Sequence, residues 1–132
     1  MITITLPGEP VAWARTRGKF HHMPAHQRNV VALLKLKAEQ AMYGHVMFKG
    51  ALKIEFTALF DLPNSWSKKK QARMADQPVV KRPDFDNLAK LSSDAMNGIV
   101  YADDRQIAEA HIVKRYVSNG QSPAIIVTVS KL

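Results

Sequence analysis

Apolar and polar residues alternate through Met1–Leu6, and this two-residue period predicts a short strand ended by Pro7 and Gly8. From Ala25 to Gly44 the period becomes helical, with Val30, Leu33, Leu34, Ala38 and Ala41 on the face expected in the core and Arg28, Lys35 and Lys37 largely elsewhere. Alternation returns over Ala51–Leu62, where Leu52, Ile54, Phe56, Ala58 and Phe60 share one side, and Pro63 closes the strand. Asn64 or Ser65 is then placed to cap a short basic helix, SWSKKKQARMA. A further helix is expected from Phe85 to Asn97: Leu88, Leu91, Ser92 and Ala95 fall on one face and Asp86, Lys90 and Asp94 on the other. Asp84 is placed to cap it, and Gly98 to stop it. Gln106–Val117 and Ala124–Ser130 are rich in β-branched and aromatic residues and flank the turn SNGQSP, which predicts a terminal hairpin.

This order of elements predicts an α+β fold, a single compact domain over residues 1–132 with one mixed β-sheet backed by helices. A chain of 132 residues, 46% hydrophobic, is large enough to bury a core without covalent staples. There is no cysteine, so disulfides and thiolate metal sites are excluded, and a reducing, cytoplasmic location is expected. No apolar run approaches the roughly 18 residues of a membrane span, and no charged-then-apolar leader opens the chain, so neither a membrane segment nor a signal peptide is expected. An exposed sheet edge needs protection, which a homodimer commonly provides.

Charge sharpens the picture because it is unevenly spread. Residues 1–82 carry 14 Lys and Arg against 5 acids, a net of +9, while residues 83–132 carry 5 against 6, a net of −1, which sums to the overall +8. A basic body around an acidic patch suits a metal-dependent nuclease, since Lys and Arg hold phosphates by releasing counterions while carboxylates hold the metal. Arg15, Arg17 and Lys19 interleave with Trp13 and Phe20, a combination suited to phosphate contacts and base stacking, or to a tethered loop whose Trp13 packs beneath the core. Lys68, Lys69, Lys70 and Arg73 of the short helix track a DNA backbone or are merely solvated, and Lys81 and Arg82 complete the candidate DNA contacts. His21, His22 and His26 lack cysteine partners and an obvious fourth ligand, so DNA contact or solvent exposure suits them better than zinc.

The candidate chemistry lies in Lys81–Ile107, which holds Asp84, Asp86, Asp94, Asp103 and Asp104. Asp84 and Asp86 sit one residue apart behind Pro83, and Asp103 and Asp104 follow about a helix and a turn later. Four carboxylates brought together repel one another unless a hard divalent cation with oxygen ligands lies between them, and Mg²⁺ is the natural candidate. The competing account makes Asp86, Lys90 and Asp94 an ordinary solvated stripe with i, i+4 pairs worth about 0.2 to 0.5 kcal/mol each.

The stretch RPDFDNLAKLSSDAMNGIVYADDRQI resembles the signature of the RusA family of Holliday-junction resolvases: Asp-x-Asp-Asn-x-x-Lys, a helix ending in Asp-Ala-x-Asn-Gly, then aromatic-x-Asp-Asp-x-Gln. Weaker similarity extends to RGKFHH, NSWSKKKQ and HIVKRY. Tyr101 stands where many relatives have Trp, and Pro83 interrupts an arginine run found in some. The resemblance implies a RusA-like homodimer, metal ligands at Asp84, Asp86 and Asp104 with Asp103 as helper, an essential lysine at Lys90, and the basic helix next to the active site. It further implies a magnesium-dependent, structure-selective endodeoxyribonuclease that resolves four-way DNA junctions by paired symmetric nicks, with Mn²⁺ able to replace Mg²⁺ and no small-molecule cofactor. Two alternatives remain: a non-catalytic basic DNA-binding protein, which needs the basic residues but not the aspartates, and a metal-dependent phosphohydrolase acting on nucleotides, which needs the aspartates but not the basic body.

Overall fold

The computed structural model describes residues 1–10 and 25–132, with the backbone alone for residues 25–28. Along the chain come strand β1 (Ile2–Pro7), helix α1 (Ala25–Met42), β2 (Leu52–Phe60), α2 (Lys68–Met74), α3 (Phe85–Met96), a 3₁₀ turn at Asp104–Gln106, β3 (Ile107–Tyr116) and β4 (Ala124–Lys131). The strands form one mixed sheet in the order β1-β4-β2-β3. β4 is antiparallel to both neighbours, and β3 runs parallel to β2. This is the expected α+β domain.

The expected terminal hairpin does not form. β3 and β4 are successive in sequence, yet β2 lies between them. Burial decides this arrangement. β4 buries Ala124, Ile125, Val127 and Val129, and β2 buries Leu52, Ile54, Phe56, Ala58, Leu59 and Phe60, so these two strands take the central positions. β3 leaves Ala108, Glu109, Ala110 and His111 exposed and takes the edge, where a half-polar strand costs least.

α1 and α3 cover one face of the sheet, α1 against β1 and α3 against β2 and β3, and the two helices pack on each other. α3 buries Leu88, Leu91, Ser92, Ala95 and Met96, the face its periodicity predicts, and Gly98 in the left-handed region (φ +79°) ends it. α1 is rotated from its expected face: Val31, Leu34, Ala38 and Met42 are buried, Val30 and Ala41 flank them, and Leu33 and Leu36 remain 47% and 49% exposed. The inward set follows i, i+3, i+7 and i+11, a narrower seam chosen by contact with both β1 and α3. α2 begins later than expected, because Ser67 rather than Asn64 or Ser65 supplies the cap, accepting from the Lys70 amide at 3.1 Å. Trp66 instead packs edge-on against Tyr116, with ring centroids 5.5 Å apart. Among the described residues no helix is long and apolar enough to cross a membrane.

Candidate active site

The first acidic pair sits at the start of α3. Asp84 occupies the N-cap position and its carbonyl accepts from Leu88 N–H at 3.2 Å, but its carboxylate makes no capping hydrogen bond. The expected cap is therefore positional only. Pro83 is buried behind it, whereas Phe85 is 68% exposed. Asp86 lies in the first helical turn and is half-buried. Lys90, one turn on, pairs with Asp94 at 3.6 Å, its side chain 72% exposed, so the solvated i, i+4 pair offered by the competing account is present.

The second pair divides its labour. Asp103 caps the 3₁₀ turn: its Oδ1 accepts from the Arg105 amide at 2.8 Å and its Oδ2 lies 3.2 Å from Arg105 Nε. The amide hydrogen bond, with the Arg105 guanidinium adding to it, holds the Asp103 carboxyl below the usual carboxylate range. Asp104 is exposed and borders a cavity of about 130 Å³ between α3 and the sheet, which Ala89, Ser92, Ser93, Tyr101 and Ile112 also line. Tyr101 is fully buried, and its hydroxyl has no hydrogen-bond partner among the described residues. Burial first, and the charge of Asp104 second, push this hydroxyl up to about 12.

The cavity wall relates the two pairs. Asp104 shares it with Ala89 and Ser93, and Asp86 precedes Ala89 by three residues on the same helical face, about 5 Å further toward the helix start. α3 is thus the ruler between them. Among the described residues no three His, Asp or Glu side chains are gathered as a metal centre. The donors nevertheless suit a hard cation in kind, since carboxylate oxygens are what Mg²⁺ takes and neither Asp84 nor Asp104 is spent on a helix cap.

Of the candidate DNA-binding residues, Lys68, Lys69 and Arg73 are exposed on α2, and Lys70 lies 4.3 Å over the Trp66 ring. Lys81 reaches Glu9 at 3.8 Å and the Phe60 ring at 5.3 Å, while its carbonyl accepts from the Lys114 ammonium. Arg82 is exposed ahead of the cis peptide bond to Pro83. These contacts place α2 and the Lys81–Pro83 segment at the C-terminal end of β3, whereas Asp103 and Asp104 precede its first residue. Lys81 and Arg82, directly ahead of Pro83 and Asp84, therefore border the start of α3 and not the second acidic pair. Arg15, Arg17, Lys19, His21 and His22 lie outside the described residues, as does the side chain of His26.

A residue given no role in the sequence reading is Gln106. Its Oε1 accepts from the amides of Ala102 at 3.1 Å and Asp103 at 3.2 Å, and its Nε2 donates to the carbonyls of Phe48 at 3.0 Å and Gly50 at 3.1 Å. The signal available in sequence was the Asp-x-x-Gln spacing of a capping box. The two long-range bonds had no signal.

The family model for endodeoxyribonuclease RusA matches residues 7–130. The chain is also 28% identical over 138 residues to the uncharacterized protein YqaN of Bacillus subtilis (strain 168), covering 98% of this chain and 97% of that one. With Asp84 capping α3 by position, Asp86 and Lys90 within it, and Asp103 capping the turn that holds Asp104 and Gln106, the chain matched over residues 7–130 belongs to the RusA family of Holliday-junction endodeoxyribonucleases.

Proposed function

We propose that the protein is a magnesium-dependent, structure-selective endodeoxyribonuclease that resolves four-way junctions by paired symmetric nicks and acts as a homodimer. The observation that carries this reading is the division within the second acidic pair: Asp103 is spent on the cap, and Asp104 is left exposed beside the α3 face that carries Asp86. A purely structural turn needs only one of these carboxylates. Asp84, Asp86 and Asp104 would hold the cation, and Asp103 would help by fixing the turn that presents Asp104. The chemistry that bound Mg²⁺, or Mn²⁺ in its place, would supply is activation of water and compensation of charge on the phosphodiester. The Lys90 ammonium meets negative charge as it develops in the transition state. Lys68, Lys69 and Arg73 on α2, with Arg82, hold backbone phosphates at the start of α3. Because one junction presents two equivalent strands and each chain one acidic site, paired nicking calls for two copies related by a two-fold axis.

The test is incubation of a synthetic four-way junction beside a linear duplex of the same sequence, with and without Mg²⁺, for wild type and Asp86→Asn. Mg²⁺-dependent, paired cleavage of the junction alone is expected from wild type, with cleavage lost and junction binding kept in Asp86→Asn. Cleavage in EDTA, or wild-type rates from Asp86→Asn, overturns the assignment. Junction binding without cleavage under any metal favours a binding protein, and hydrolysis of free nucleotides favours a phosphohydrolase.

A further inference from the structure

An exposed carboxylate at the start of a short turn is aimed by its backbone, so the question at Asp104 is what holds that backbone still. A carboxamide offers one acceptor oxygen with two lone pairs and two N–H donors. Gln106 uses all four capacities, two on the turn (Ala102 and Asp103 amides) and two on the loop that leads into β2 (Phe48 and Gly50 carbonyls). The same loop is tied to the segment before the turn by Phe48 N–H donating to Val100 at 2.9 Å and by a parallel bridge between Phe48 and Tyr101. Gly50 sits in the left-handed region (φ +79°), a conformation L side chains rarely adopt, so its carbonyl is presented by a loop shaped for it. The 3₁₀ turn is too short to define its own orientation, whereas a saturated amide crossing from residue 106 to residues 48 and 50 does.

We propose that Gln106 is a positioning residue for the cleavage reaction: its carboxamide pins the turn at residues 102–104 to the 48–50 loop and thereby fixes where Asp104 presents its carboxylate. This rests on the nuclease reading of Asp104. No other side chain reproduces the pattern. Glu keeps the two accepted bonds but has no donor for the carbonyls, Asn is one methylene short, and Met has the length without the polar groups.

The experiment uses the full chain with Gln106→Met, Gln106→Glu and Asp104→Asn beside wild type. Folding is followed by circular dichroism and junction affinity in EDTA. Metal binding is followed by loss of the free Mn²⁺ electron paramagnetic resonance signal, and cleavage by single-turnover rates across a Mg²⁺ series. Groups that orient metal ligands are worth about 10 to 100-fold in metal affinity, so both Gln106 variants are expected to bind Mn²⁺ and to be half-activated by Mg²⁺ about that much more weakly. Junction affinity is expected to hold, and cleavage to recover at high Mg²⁺. Gln106→Glu is the sharper variant: its added negative charge by itself attracts a cation, so weaker binding can come only from lost positioning, and it decides the matter if Gln106→Met does not fold. Wild-type Mn²⁺ binding and Mg²⁺ dependence in a folded Gln106 variant, with Asp104→Asn inactive, overturn the proposal and leave the nuclease reading intact. Normal cleavage by Asp104→Asn overturns both.

Discussion

Lys90→Ala separates catalysis from stability by a margin the structure allows to be estimated. The Lys90 ammonium stands 3.6 Å from Asp94 with its side chain 72% exposed, so what the folded state loses is a solvated ion pair. Such pairs are worth roughly 0.2 to 0.5 kcal/mol, and with the lysine N-terminal to the acid the orientation is the poorer one, which puts the loss near about 0.2 kcal/mol. A change of that size moves the melting temperature by about 1 °C. Loss of one preorganised donor to transition-state charge instead costs about 10² to 10³ in rate, or about 2.7 to 4 kcal/mol. The catalytic effect therefore exceeds the structural one by more than about tenfold in free energy, and the pair with Asp94 is weak enough to open when DNA arrives. The assay is single-turnover cleavage of a four-way junction at saturating protein and Mg²⁺, with thermal unfolding and junction affinity measured on the same preparation. The expected variant melts within a degree or two of wild type, binds the junction nearly normally, because one lysine adds only about one unit to the salt slope, and fails to cut. Near-normal cleavage would return Lys90 to the solvated stripe and refute a catalytic role for it.

The Tyr101 hydroxyl, pushed up to about 12 by burial and by Asp104, gives a pH signature. An unfolded tyrosine ionises near pH 10, so the folded state keeps its full stability below about pH 10 and loses stability, on the order of a few kcal/mol at most, as pH rises through the 10 to 12 window. Tyr101→Phe should remove that component, read as a smaller drop in urea midpoint between pH 8 and 11.5; an equal drop in both proteins refutes it. Replacing Lys68 and Lys69 on α2 by Ala together should lower the salt slope of junction binding by about two, and an unchanged slope would make these lysines mere solvated surface.

Whatever is governed by residues within a turn or so of one another was already determined by the sequence. The buried face of α3, its stop at Gly98, the strand periods of β1 and β2 and the position of Asp84 at a helix start all follow from local pattern, and the structure has them within a residue or two. The motif likewise carries the family in its residues, and the lopsided charge suits a nuclease without any tertiary information. Tertiary structure decided what depends on partners distant in the chain. Alternation marks β3 and β4 as strands but does not say that β2 lies between them; competition among apolar strands for the sheet centre does. The helical period of α1 allowed more than one inward face, and simultaneous packing against β1 and α3 selected Val31, Leu34, Ala38 and Met42. Asp103 and Asp104 are the same residue type side by side, and only the geometry of the turn spends one on a cap and leaves the other exposed. Gln106 reads as half of a capping box in sequence and becomes a cross-chain clamp only because folding carries the Phe48 and Gly50 carbonyls, more than fifty residues away, to within 3.1 Å of its amide nitrogen.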